Sequence, residues 1–553
     1  MINKLESSFA IKTAQAAMVL LLSVIAVAAL GFFVNITISA FTLPIGVGIV
    51  LLYAIVKDRN MLLPIFICLL SLVLFAVCSL FIFDWSFDGM YFHKQAIITL
   101  KEGWNPLKIS SANYDIFATY EDLALWLDNY PKGSWVFSAS IYAITNRLET
   151  AKAVNILFLI PVFAIAFDTF FRFYKQKKSA SLCLALLFTA NPVFINQVFT
   201  SYNDLPVGCM FIITVLLGIQ AFSGEKSEMP ILILLGEATM LSCLVKFTGP
   251  FYTGVTIAVF GLYCLIRTCI KSNGNKLKDT FNRLKAPLII AFSGFFIGTV
   301  VLGFNPYMSH LLEGKHLLHP VLGPEKYDIM NTNAPKTFSE KPAVGQLFYS
   351  LFSETTNSLD DIPKLKIPFT IGEFELDHVS NPDTRVSGFG VWFSGCLAVA
   401  FLLGICLIVT KTKIEPEILL TIFMLIMLAI FFPESWWARY APFTYYLPVF
   451  LLAAAIMSGK FSVISKTLFA IFLVNAMISG AYVAKTNILT SKRLNARLAD
   501  IKAQNKPVTV HANVFTSNIK LLSEYGIDYE VSHTPLGDDA SELHRSTRFI
   551  YKD

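Results

Sequence analysis

Charge is scarce in this chain. Only 15% of its 553 residues are Asp, Glu, Lys or Arg, against about 25% in a soluble domain. A water-soluble enzyme of this length is thereby excluded. Cysteine chemistry is equally thin. The nine cysteines all fall in or at the ends of apolar runs, with no CxxC and no metal-ligand spacing. They read as small core residues, and no disulfide framework supports the exposed parts. The chain lacks a GxxxxGK[ST] loop and a GxGxxG strand–turn–helix. That speaks against an enzyme driven by ATP or a nucleotide sugar. No internal repeat is visible, so an inverted-repeat transporter gains no support. The net charge of +6 is small for the length. It suggests Lys and Arg placed for topology, with no nucleic acid partner.

What the chain has is apolar sequence. Apolar residues make up 55%, Phe alone supplies 49 positions, and the mean hydropathy is +0.61. About thirteen runs are long and apolar enough to read as membrane spans, at roughly 20 residues each. They lie near 13–35, 38–56, 61–83, 152–172, 179–199, 205–223, 229–247, 250–268, 286–304, 388–410, 417–432, 442–458 and 461–484. The first could pass for a signal peptide, but a second follows at once, so both read as retained. The stretch Gly133 to Asn146 is too short to cross a core of ~30 Å; it suits a juxtamembrane or re-entrant helix. The expected fold is therefore an all-α polytopic membrane protein. Residues 1–484 form its transmembrane domain, with long loops at 84–151 and 304–387. Residues 485–553 form a small α/β appendage. In it Pro507-Val-Thr-Val-His reads as a strand, Thr516 to Tyr525 as a helix ended by Gly526, and Tyr529-Glu-Val-Ser as a second strand. At about 50 residues it is too small to be stable unless docked.

The positive-inside rule orients this layout. With a cytosolic N-terminus, the clusters Lys57/Arg59, Arg172 to Lys178, Arg267 to Lys285, Lys411/Lys413 and Lys460 all fall inside. The loop around Glu225, Lys226 and Glu228 alone does not help. Every inside loop is short. The three long segments lie outside and hold all eight histidines and most of the Asp and Glu. A site needing several polar groups must then face the extracytoplasmic side of a multi-pass plasma (inner) membrane protein, as in a bacterium.

Four constellations could carry chemistry there. Phe87-Asp88-Gly-Met-Tyr91-Phe-His93 lies just past the third span, at headgroup level. Asp88 equally suits a helix cap before Gly89, with Tyr91 an interfacial aromatic. Thr200-Ser-Tyr202-Asn203-Asp204-Leu-Pro206 is a short outside turn whose Asp204 also suits a helix N-terminus. Lys246, ending the seventh span on the same side, either snorkels to lipid phosphate or pairs with an acid. In Pro433-Glu434-Ser-Trp436-Trp437-Ala-Arg439-Tyr440 the aromatics suit the interface belt. Arg439 either grips a phosphate bidentately or pairs with Glu434. The loop after Asn305-Pro306-Tyr307 carries His316-Leu-Leu-His319 and later Arg385-Val-Ser-Gly388-Phe-Gly390. An HxxH without a third ligand is weak evidence for a divalent cation, and loop-surface histidines are the simpler reading.

In their order along the chain these pieces resemble GT-C glycosyltransferases of the protein O-mannosyltransferase and aminoarabinose-transferase type. The likeness covers about 84–450. It rests on Asp88 with Tyr91 and His93, then Gly103-Trp104-Asn105-Pro106 and Tyr130-Pro131. Further on it includes Asn191-Pro192 before Tyr202-Asn203-Asp204, Lys246-Phe-Thr, Asn305-Pro306-Tyr307, Gly388-Phe-Gly390, and Arg439 before a late span. The paired Asp-Glu form of the first loop is absent. The resemblance implies transfer of a sugar from a polyprenyl-phosphate donor to a glycan, lipid or protein acceptor, with inversion. Asp88 would be the general base. Arg439 and Lys246 would meet the charge on the departing phosphate. Tyr91 and His93 would orient Asp88 or the sugar, Asp204 would hold a sugar hydroxyl or a cation, and Arg385 and Tyr440 would join the substrate site. Two other classes remain: a carrier of lipid-linked saccharides, and an O-antigen ligase or polymerase. A carrier explains the spans, but it explains the long external segments poorly, because carriers place polar groups near the midplane.

Overall fold

A computed structural model describes residues 2–113, 121–223, 228–271, 276–360 and 362–552. Glu225 and Lys226 lie outside the described residues. The chain is mostly helical, 69%, with a small sheet at its C-terminal end. Among the described residues seven helices are long and apolar enough to cross a membrane. They are Ser8–Phe33, Arg59–Ser79, Leu148–Phe173, Asp204–Ser223, Thr248–Ile270, Thr280–Val301 and Ser462–Ala503. Seven shorter apolar helices stand beside them.

The helix Asp204–Ser223 is the axis of the packing. Every one of its residues is buried, as expected of a helix apolar on all sides. It is enclosed by Asn155–Asp168, Met229–Val245, Thr248–Lys271 and Pro442–Ser458. Helices at the periphery differ. Leu62–Ser79 turns Phe66, Val73 and Leu74 outward, each more than half exposed. An apolar face of that extent suits lipid, not water.

Three sequence expectations need correction. The span expected at 179–199 is broken. The helix Lys178–Thr189 stops, Asn191 adopts an extended backbone and accepts the Val193 N–H at 3.0 Å, and a new short helix Pro192–Gln197 starts. Pro192 has no N–H to continue the first helix, while it suits the first turn of the second. The last span does not end at 484. One unbroken helix runs from Ser462 to Ala503, so the boundary expected at 484/485 falls inside it. At 1.5 Å per residue its 42 residues measure roughly 60 Å, twice a hydrocarbon core. The loop 304–387 is also more structured than expected, with helices Phe304–Leu312 and Ala343–Phe352.

The C-terminal appendage has four strands, β1 (Val508–His511), β2 (Tyr529–Val531), β3 (Ser541–His544) and β4 (Thr547–Tyr551), in the order β2-β1-β4-β3. β1 and β2 are parallel, joined by the helix Ile519–Glu524; β4 pairs antiparallel with both β1 and β3. Gly526, at φ +67°, ends that helix as the sequence predicts. The hairpin β3–β4 was not anticipated, although Thr547-Arg-Phe-Ile-Tyr has the β-branched and aromatic character of a strand. The appendage docks. Its Leu522, Val510 and Phe549 share an apolar cluster with Phe83 and Met90 and with Leu494 and Leu498 of the long helix. Thr516 Oγ1 donates to Gln95 Oε1 at 2.9 Å, and Ser517 Oγ donates to the Met90 carbonyl at 2.7 Å.

A buried ionic cluster fixes the chain where it leaves the third helix. Lys94 Nζ donates to Glu149 Oε1 at 2.5 Å, and Lys152 pairs with the other oxygen of the same carboxylate. Glu149 Oε2 also accepts the Asp84 N–H at 2.9 Å. Both lysine side chains are at most 3% exposed. Replacing Glu149→Gln leaves two sealed ammonium groups without a counter-charge. The variant is expected to lose about 3–5 kcal/mol of stability, read as a lowered melting temperature in detergent. An unchanged transition would show that the cluster does not hold this segment.

Candidate active site

The site is assembled from five segments far apart in sequence. The first is the turn that follows the third helix. Asp84 is buried in it: its Oδ1 accepts from Ser86 N–H at 3.0 Å and from Ser86 Oγ at 2.5 Å, and its Oδ2 accepts the Ser201 N–H at 2.8 Å. Asp84 therefore ties this turn to the segment before Asp204. A Cβ on Gly89 would stand 2.1 Å from Ser86 Oγ and 2.6 Å from Asp84 Oδ2, so this close approach requires glycine. From Gly89 to His93 the chain makes one π-turn, a device common at functional sites. Asp88 stands at its head.

Arg439 stands at the centre. Its Nη1 donates to Asp88 Oδ2 at 2.7 Å and to Asp204 Oδ2 at 3.2 Å, and lies 3.6 Å from Asp383 Oδ1. Lys246 pairs with the other oxygen of Asp204. Tyr202 links the acids: its hydroxyl donates to Asp383 Oδ1 at 2.6 Å and accepts the Asp88 N–H at 3.1 Å. Aromatic rings wall the guanidinium, which lies 4.3 Å from the Trp437 centroid and 5.0 Å from those of Tyr202 and Tyr440. Lys246 lies over Tyr440 at 4.3 Å. Such stacking adds to the carboxylate pairing in holding cations away from water. Arg439 Nε is buried with no partner among the described residues.

The three carboxylates differ in access. Side chains of Asp204 and Asp383 are 3% and 9% exposed, and Arg439 is 6% exposed, whereas Asp88 is 23% exposed. Asp88 is thus the acid of this cluster that an incoming group can reach. Burial pushes its carboxyl above the usual range; Arg439 pulls it down, while Asp383 and Asp204 push it up.

The structure brings together Asp88, Asp204, Lys246, Arg439 and Tyr440. It does not pair Arg439 with Glu434, which the sequence left open; the partners are three aspartates instead. Asp383 was not singled out. It lies in Asn381-Pro-Asp383-Thr-Arg385, an irregular segment whose sequence gives no sign of a partner 56 residues on. His93 is enclosed. It is 2% exposed, its Nδ1 accepts the Trp135 Nε1–H at 2.8 Å, and the rings of Phe92, Tyr130 and Tyr202 enclose it. Burial holds its pKa well below the usual histidine range, so it is neutral at pH 7. Tyr91 is half-buried beside Phe87. Arg385 lies 5.1 Å over the Trp437 ring, and its Nε and Nη2 donate to the backbone carbonyl and Oδ1 of Asn333 while its Nη1 donates to Asn357 Oδ1. It adds positive charge near Asp383 without bonding it.

Other motif pieces meet below this centre. Lys132 Nζ donates to the carbonyls of Asp128 and Tyr130, each at 2.9 Å, and to Asn305 Oδ1 at 2.5 Å. Asn305 Nδ2 donates in turn to the Pro106 carbonyl at 2.9 Å. Burial lowers Lys132 to about 7. Among the described residues no group of three or more His, Cys, Asp or Glu side chains is placed to hold a metal ion. His319 packs edge-on against His310, with ring centroids 5.5 Å apart. No family model matches this chain, and no curated protein matches it.

Two measurements follow from the geometry. Arg439→Ala removes the cation shared by three carboxylates, two of them sealed, and is expected to destabilise the protein by about 3–5 kcal/mol. A melting temperature equal to the parent's would contradict the central role of this guanidinium. Asp383→Asn keeps an acceptor for Tyr202 but removes a charge that raises Asp88. If Asp88 must be ionised to act, activity falls as pH drops through its raised pKa. The substitution shifts that acidic limb of kcat/KM to lower pH. A shift to higher pH would show that Asp88 does not set the limb.

Proposed function

We propose that this chain is a membrane glycosyltransferase of the GT-C type. It moves a sugar from a polyprenyl-phosphate donor to a glycan, lipid or protein acceptor, with inversion. Asp88 takes the proton of the acceptor hydroxyl. The acceptor oxygen then bonds to the anomeric carbon on the face opposite the phosphate, and the bond from that carbon to the phosphate oxygen breaks, leaving the electron pair on the polyprenyl phosphate. A carboxyl lifted above its usual range is, in its ionised form, a stronger base than an ordinary aspartate.

The observation that carries this reading is the difference in access within one charged cluster. Asp88 is open, while the acids and the cation that position it are sealed. Arg439 spends its Nη1 on carboxylates, and its charge, with that of Lys246, lies close enough to Asp88 to offset negative charge building on a phosphate there. An apolar groove of about 460 Å³ supports the donor assignment. It runs between Thr248–Lys271 and Pro416–Phe431 and ends at Phe432 and Pro433. Phe432 packs at a tilt against Tyr252, whose hydroxyl donates to the Tyr440 carbonyl at 2.5 Å. An isoprenoid chain lying in this groove would bring its phosphate to the Tyr440 end, beside Lys246 and Arg439.

The proposal includes thirteen crossings, a cytosolic N-terminus, and an extracytoplasmic site and appendage. Six of the seven shorter apolar helices, all but Ala343–Phe352, coincide with expected spans that the seven long helices leave over. The broken pair Lys178–Thr189 and Pro192–Gln197 together covers one of them.

Asp88→Asn is the direct test. It should lower sugar transfer at least ~100-fold, with expression and melting temperature unchanged, in an assay of lipid-phosphate-sugar consumption in vesicles. Full transferase activity in this variant would remove Asp88 as the base. Undiminished movement of lipid-linked saccharide by a protein that transfers no sugar would favour the carrier instead.

A further inference from the structure

A second large cavity, about 490 Å³, lies away from Arg439, where the long helix Ser462–Ala503 meets the docked appendage. One edge is formed by Leu80 and Phe81, immediately past the apolar helix Leu62–Ser79; they are 44% and 71% exposed. An apolar edge at the end of a membrane-facing helix opens the cavity to acyl chains. The opposite rim is polar. Lys502 is exposed there, and its side chain makes no hydrogen bond or ion pair among the described residues. Arg147 Nη1 donates to the backbone carbonyl of Glu524 at 3.0 Å, which leaves its charge uncompensated by that contact.

The acids nearby are already engaged. Glu149 is held by both Lys94 and Lys152, and Glu524 Oε1 accepts the Leu148 N–H at 2.8 Å. Counting the groups behind the wall, four cations, Lys94, Arg147, Lys152 and Lys502, stand against three acids, Asp84, Glu149 and Glu524, and Lys502 is the cation at the rim with no carboxylate paired to it. A cavity with an apolar mouth, a positive rim and this volume suits an amphipathic anion.

We propose that this cavity binds an anionic phospholipid. Its phosphodiester lies at Lys502 and Arg147, and part of an acyl chain lies along Leu80, Phe81 and Leu498. The bound lipid touches the appendage, the long helix and the strip leading through Phe83 toward Asp88 at once, so it clamps the appendage in place. The inference rests on the chain being a membrane protein and not on sugar transfer, so the two can fail separately.

The full-length protein, purified in detergent, is titrated with phosphatidylglycerol, phosphatidylethanolamine or inorganic phosphate. Bound lipid is counted by native mass spectrometry and melting temperature is followed. Phosphatidylglycerol should be retained and should raise the melting temperature. Phosphatidylethanolamine should bind about tenfold more weakly, and inorganic phosphate should produce no shift. Lys502→Glu should weaken phosphatidylglycerol retention about tenfold while leaving the lipid-free melting temperature unchanged. Asn495→Trp, which fills the cavity from its rim without a change of charge, should weaken both lipids. Equal retention by Lys502→Glu and the parent overturns the proposal, as does equal binding of the two lipids. A shift with inorganic phosphate alone overturns the lipid assignment in favour of a free anion.

Discussion

Everything at the candidate site depends on one guanidinium placed among three carboxylates. Arg439 meets Asp88, Asp204 and Asp383. Those acids come from the turn after the third helix, the head of the buried axis helix and an irregular late loop. Without the cation, like charges this close would not remain ionised together. With it, four chain segments share one point of attachment. Planarity and the aromatic walls matter as much as charge, because a flat group can be stacked and still donate at its edge. Lys246 adds a second cation on Asp204, which leaves Arg439 less committed to that acid.

A second tier of contacts keeps Asp88 at the guanidinium. Glu149 grips the Asp84 N–H of the turn, and Asp84 grips the Ser201 N–H of the neighbouring segment. The appendage closes over it, with Phe515 edge-on to Phe87, ring centroids 5.3 Å apart. The small sheet is therefore not an independent module. Its core is completed by Phe83 and Met90 of the turn, so the order of the turn and the folding of the last 45 residues depend on one another.

The helical elements were largely visible in the sequence because a long apolar run has few alternatives. Where it misled, the cause was local and chemical. Asn191-Pro192 interrupts a run that hydropathy alone treats as continuous, and Ser462–Ala503 remains helical after its composition turns polar, since helix propensity does not require an apolar face. At the site, Asp88, Asp204, Lys246 and Arg439 stood out singly, as charges at interfacial positions. Their convergence did not, because each had a simpler local partner: a cap, a headgroup, or Glu434. Asp383 had no periodicity or motif to mark it, and it emerges only through Tyr202 and Arg439. The burial of His93 was equally hidden. An imidazole beside an acid suggested contact with substrate, yet the neighbouring rings of Trp135, Tyr130 and Phe92 offered it a dry enclosure.

The unbroken helix Ser462–Ala503 has a mechanical consequence. Its first half is apolar and its second half carries β1 and the docked sheet, so the two halves tilt as one rod. Inclining such a rod by roughly 10° moves its far end by about 5 Å for each 30 Å of length. Packing against neighbouring helices sets the inclination of such a helix. The sheet, and the turn bearing Asp88 that shares its core, are thus geared to how the apolar half of this rod is packed.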